Sequence, residues 1–100
     1  MGRKERTDIP RSVKRAVWER DGRRCILCGR PDAGPWCHFI PRSQGGLGIE
    51  ENIFTACQRC HSLFDQGSGH AAVQARQSVR EYLCKQYPEW NEADLIYRKE

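Results

Sequence analysis

No window of this chain approaches the roughly 20 consecutive apolar residues that a membrane-spanning helix needs. No apolar stretch follows the basic residues near the N-terminus either, so we expect no secretory signal peptide and a soluble, cytoplasmic protein. No internal repeat is visible. Apolar residues are also scarce, at 38% against 30% charged, which is lean for a self-sufficient core in 100 residues. Domains this small commonly add disulfides, bound metal or oligomerisation. Acidic side chains are in deficit, 13 against 17 Lys and Arg, so the formal charge is +4. The excess is uneven: Arg3, Lys4, Arg6, Arg11, Lys14, Arg15, Arg20, Arg23, Arg24 and Arg30 crowd the first third. That asymmetry reads as a nucleic-acid footprint or as a solvated helix face beside a basic tail.

What is present comes in short pieces. Residues 1–8 are polar, charged and expected to be a flexible basic N-terminus, ahead of one domain over residues 9–98. Ile9, Val13, Ala16 and Val17 recur at helical spacing, and Asp21-Gly22 stops the run. Trp36 to Ile40 and Ile53 to Thr55 read as two short strands, joined by a loop that Gly45, Gly46 and Gly48 should make mobile. A helix is expected from Cys57 to Asp65. A longer one follows, with Ala72, Ala75, Val79, Tyr82, Leu83 and Gln86 along one side and Pro88 beyond its end. Asn91 can cap a last turn over Glu92 to Ile96. The core finger should span about residues 25–66 and the C-terminal helical part about 70–98.

Six cysteines in a short chain can signal a disulfide framework, but that class belongs to exported proteins and the spacing here is that of metal ligands. Cys25 and Cys28 form one Cys-x-x-Cys pair, Cys57 and Cys60 the other. Two such pairs around a folded insert match the thiolate supply of a closed tetrahedral zinc site. Cys84 stands apart on the long helix, where a buried small hydrophobe is the default.

Beyond the clasp, three residues carry chemistry: His38 on the first strand, Asn52 before the second, and His61 directly after the last clasp cysteine. His61 and Asp65 are an i,i+4 pair, so one helix surface can turn both toward a divalent ion. A neutral His38 can accept a proton from an attacking water. Each has a plainer role available: His38 as strand packing, Asn52 as a turn residue, His70 as a surface or cap residue. With Pro41-Arg42-Ser43-Gln44-Gly45-Gly46 between the strands and Tyr87-Pro88-x-Trp90-Asn91 after the long helix, the chain resembles the HNH endonucleases, the ββα-metal nucleases, in their small bacteriophage form.

The resemblance implies a small α+β fold: a ββα-metal finger on a four-cysteine structural zinc site, with flanking helices. It implies His38 as general base, Asn52 as the residue orienting the base-bearing loop, and His61 with Asp65 as ligands of a catalytic Mg²⁺ or Mn²⁺. It implies DNA as substrate and phage DNA processing or packaging in a bacterial host as the setting, with packaging proteins as candidate partners. Arg42 and Arg59 are candidate phosphate contacts. One finger has one reaction centre, so a monomer or weak dimer that nicks is the expectation. Cys37 departs from the pattern, since many relatives place a histidine or aspartate ligand there; it is either a ligand or packing behind the finger. A non-catalytic zinc module that binds DNA or a protein is the competing reading.

Overall fold

The structure is a computed structural model that describes residues 6–97. Arg3 and Lys4 of the basic cluster, and the first residues of the N-terminal stretch, lie outside the described residues. The architecture is small α+β: helix α1 (Arg11–Arg20), strand β1 (Ala33–His38), strand β2 (Ile53–Cys57), helix α2 (Gln58–Gln66) and helix α3 (His70–Gln86). Short 3-10 turns at Arg42–Gln44 and Glu92–Leu95 complete it. β1 and β2 pair antiparallel, and α2 follows β2 with no intervening residue, which is the ββα arrangement.

β1 starts three residues earlier than Trp36, and the reason is a bulge. Gly34 pairs with Ala56 and Cys37 with Phe54, so Pro35 and Trp36 together face Thr55 alone. A bulge accommodates Pro35, which has no N–H to give to the ladder. Beyond it the register is regular, with Cys37 opposite Phe54 and His38 opposite Ile53. Successive residues there point to opposite faces. Cys37 therefore enters the core, fully buried, while His38 opens toward the other side.

The core is aromatic and compact. Phe64 of α2 sits 5.0 Å from Phe54 and 6.0 Å from Phe39, and Trp90 meets Phe39 edge-on at 5.5 Å. α3 contributes Ala72, Ala75, Val79 and Leu83, four of the six positions expected on its inner side; Tyr82 is half-buried and Gln86 exposed. Cys84 is exposed, contrary to the expectation of a buried small hydrophobe: Leu83, its neighbour, takes the inward position. Asn91 caps the last turn as expected, its Oδ1 accepting from the Ala93 amide at 2.9 Å.

The glycine loop is held rather than mobile. Gly46 bridges to Ile96, Leu47 donates to the Leu95 carbonyl, Tyr97 donates to Gly45, and Gly48 donates to Arg6. At Gly46 the chain runs so close to Ile40 that a Cβ would lie 1.7 Å from that carbonyl oxygen. The glycine there permits close packing, not motion.

Arg20 also differs from its expected place in a basic outer face. Its guanidinium is turned inward, donating to the carbonyls of Glu50 and Ile53 and to the Tyr87 hydroxyl, and pairing with Asp21 at 2.7 Å. Asp21 in turn accepts from the Thr55 amide and the Tyr82 hydroxyl. This network ties the end of α1 to β2, α3 and the C-terminal segment. Arg23 and Arg30 are taken up by Glu19 and Asp32. Among the described residues, no helix is long and apolar enough to cross a membrane.

Candidate active site

The four clasp cysteines are drawn together at the base of the finger. Their Sγ atoms all lie within 4.8 Å of one another, with Cys28 and Cys57 at 3.5 Å. A tetrahedron with zinc–sulfur bonds of about 2.3 Å has edges of roughly 3.8 Å, so the donor set fits such an ion. The two knuckles are built alike: the Cys28 amide donates to Cys25 Sγ and the Cys60 amide to Cys57 Sγ. Cys57 thereby serves twice, as a thiol of the clasp and as the N-cap of α2. Burial opposes a thiolate at Cys25, yet backbone donors from Cys57, Cys28 and Leu27 outweigh it and bring that thiol down to about 7. At Cys60 burial prevails, and the neighbouring sulfurs push its thiol further up. Four thiols this close do not ionise independently.

On the opposite face of β1 lies a cleft of about 870 Å³. His38, Arg42, His61 and Asp65 all line it, so residues far apart in sequence meet as the motif spacing requires. His61 Nε2 and Asp65 Oδ2 stand 2.6 Å apart across one turn of α2. Imidazole nitrogen and carboxylate oxygen together are a donor pair suited to a divalent ion. Among the described residues, the clasp is the only cluster of three or more such donors; in the cleft, His61 and Asp65 are the pair in direct contact.

His38 is 8% exposed, and its Nε2 lies 2.8 Å from the Thr7 carbonyl. A carbonyl only accepts, so Nε2 carries the hydrogen and Nδ1 keeps its lone pair. Burial holds His38 below the ordinary histidine range and the charge of Arg42 adds to this, while the Thr7 carbonyl works the other way. A neutral ring with one fixed acceptor nitrogen is the form a proton acceptor needs.

Asn52 does not line the cleft. It is fully buried, its Oδ1 accepting from the Ile40 amide at 2.8 Å and its Nδ2 donating to the carbonyls of Leu47 and Ile40. It spans the loop that follows β1, holding it at Ile40, two residues after His38. Arg59, exposed on the first turn of α2, is not among the residues around the cleft, whereas Arg42 is, paired there with Asp8. Cys37 is packed among Phe39, Phe54 and Phe64, and burial pushes its thiol well up, with Asp65 and the clasp sulfurs adding to the effect. Packing behind the finger describes it. His70 opens α3, exposed and apart from the cleft.

The sequence reading did not single out Thr7, which meets His38, or Asp8 and Trp36, which line the cleft; Thr7 and Asp8 come from ahead of the clasp. Trp36 could have been noticed as a large aromatic placed on the same strand face as His38; the N-terminal contacts left no local signal.

The family model described as HNH endonuclease matches residues 25–63, from the first clasp cysteine to two residues past His61. That match supports nuclease activity on nucleic acid. Among curated proteins and among solved structures, nothing matches the chain.

Proposed function

We propose that this chain is a metal-dependent DNA endonuclease of the HNH type, hydrolysing phosphodiester bonds in the cleft on the His38 face of β1. The convergence of His38, Arg42, His61 and Asp65 on that one cleft carries the reading. His38 Nδ1 takes the proton of an attacking water while the Thr7 carbonyl holds the ring by its other nitrogen. The water oxygen bonds to phosphorus as the bond to one bridging oxygen breaks. A divalent ion held by His61 and Asp65, magnesium or manganese, would polarise a phosphate oxygen and stabilise charge on the leaving oxygen. Arg42 exchanges its partner Asp8 for a substrate phosphate, for which its planar fork is suited. Cys25, Cys28, Cys57 and Cys60 would hold a zinc ion, which would fix the start of α2 and with it the position of His61. Asn52 acts on the reaction through the loop.

The resemblance extends the proposal to phage DNA processing or packaging in the cytoplasm of a bacterial host, by a monomer or weak dimer. The test is nicking of supercoiled plasmid across a magnesium and manganese titration, with bound zinc and circular dichroism measured in parallel. His38→Ala should keep zinc and fold and lose about 10²–10⁴-fold in cleavage, the usual worth of a general base. Asp65→Ala should need more divalent ion for the same rate. A zinc-loaded wild-type protein that binds DNA and never cuts it, under either ion, refutes the proposal in favour of a binding module.

A further inference from the structure

Trp36 has no part in the chemistry above, yet the structure gives it a defined seat. The residue is 44% exposed, on the bulged part of β1, two residues before His38. The ring lies across Gly34, where a Cβ would stand 2.2 Å from its edge. A glycine is therefore required beneath it, and the indole rests against strand backbone while the rest of it meets solvent. Trp36 and Lys14 line both the His38 cleft and a second groove of about 520 Å³, so the two adjoin. Arg11 and Arg15 also line that groove. Arg11, Lys14 and Arg15 fall at i, i+3 and i+4 on α1, all exposed, and among the described residues none of the three is in an ion pair. Glu19, the one acid on the groove, is already engaged by Arg23 at 2.8 Å.

We infer that Trp36 and the Arg11, Lys14 and Arg15 face form a stacking subsite for an unpaired nucleotide beside the cleft. The preferred substrate is then DNA with single-stranded character next to the cut, such as a fork, flap or gap. This rests on the nucleic-acid reading above. A base inside a duplex has both faces covered by its neighbours, so a fixed indole beside the cleft meets a base face only when that base has left the stack. A ring backed by protein and flanked by unpaired cations is the combination that binds single strands, the ring taking the base and the cations the backbone. Because the ring is already seated, little side-chain freedom is lost on binding.

The experiment uses the full, zinc-loaded chain carrying His38→Ala, without added magnesium or manganese. Its binding to a fluorescein-labelled single-stranded oligonucleotide is compared with that to the blunt duplex of the same sequence. Adding Trp36→Ala should weaken single-strand binding about 5- to 150-fold, the range for loss of one stacked base, and leave duplex binding within about twofold. Trp36→Phe should retain most of the affinity. Replacing Arg11, Lys14 and Arg15 with alanine should lower the log–log salt slope for the single strand by about 2. Single-strand affinity unchanged by Trp36→Ala, or an equal loss on both substrates, overturns the subsite. Wild-type protein that shows the single-strand preference but cuts no DNA refutes the nuclease reading and leaves the subsite standing. Cleavage by wild-type protein, with binding indifferent to Trp36, does the reverse.

Discussion

Asn52 offers the sharpest separation between two ways of serving the proposed nuclease site: holding the proposed base in place or holding the proposed ion. The structure favours the first, since the amide is fully buried and its donors and acceptor all meet backbone groups of Ile40 and Leu47. In Asn52→Ala the Ile40 N–H loses its acceptor in the interior, and two carbonyls lose a donor. An orphaned buried group costs about 1–3 kcal/mol, less for a carbonyl with a second lone pair, so a total of about 2–4 kcal/mol follows. For a chain of this length that lowers Tm by roughly 10–30 °C. The loop it releases leads directly from His38 to Arg42, and a misplacement of about 1 Å at reacting groups can cost about 10²-fold in rate. Asn52→Asp is the decisive companion: it keeps the acceptor for Ile40 but turns a carboxylate toward two carbonyl oxygens. If Asn52 positions the loop, both variants lose stability and kcat while the ion concentration for half-maximal nicking stays put. If Asn52 were a ligand, the aspartate would bind a hard ion at least as well. An Asn52→Asp enzyme with normal Tm and half-saturation at a lower magnesium concentration would refute the positioning role.

Three other outcomes follow from the same structure. Cys57→Ser removes a clasp thiol and the N-cap of α2 together, so circular dichroism should show loss of the fold and bound zinc should fall, with no rescue by magnesium. The His38 ring is held below the ordinary histidine range by burial, so at saturating ion the acid limb of the pH–rate profile should fall below pH 6.5 and disappear in His38→Ala. The same group contributes stability that is present above its unfolded value and lost as pH falls from there through its folded value, because the unfolded chain binds the proton more readily. Arg20→Ala leaves Asp21 buried without its cation and should cost about 3 kcal/mol in urea unfolding, yet leave the salt slope of DNA binding unchanged, since its guanidinium faces inward.

Much of the finger was legible because its determinants are short-range. The Cys-x-x-Cys pairs and the i,i+4 step from His61 to Asp65 specify geometry within one turn or knuckle, and both are realised. The alternation that sets Cys37 and His38 on opposite faces was legible too, since the bulge lies before them and leaves their order intact. The bulge itself was not, because Pro35 argues against a strand unless the pairing partner is known. The glycine loop was misjudged for a related reason. Composition reports what backbone freedom a glycine allows, while the close approach of Ile40 and the bonds from residues 95–97 decide how it is used. Arg20 and Cys84 fail in opposite directions, a charge turned in and a cysteine turned out, because the buried partners of one and the inward neighbour of the other are set by tertiary contacts.

The N-terminal segment changes how the motif itself should be understood. The matched span begins at Cys25, yet the atom that fixes the His38 ring is the Thr7 carbonyl, and the partner of Arg42 is Asp8. Arg6 meanwhile accepts from Gly48, and residues 95–97 bond the same loop through Gly45 and Leu47. The loop between the strands is thus gripped from both ends of the chain. A zinc clasp can position α2, and so His61 and Asp65, without help from elsewhere. It has no comparable hold on the tautomer of His38, at the far end of β1, or on Arg42 beyond it. Those two depend on contacts the motif does not contain. His38 and the His61–Asp65 pair therefore rest on different supports in this structure.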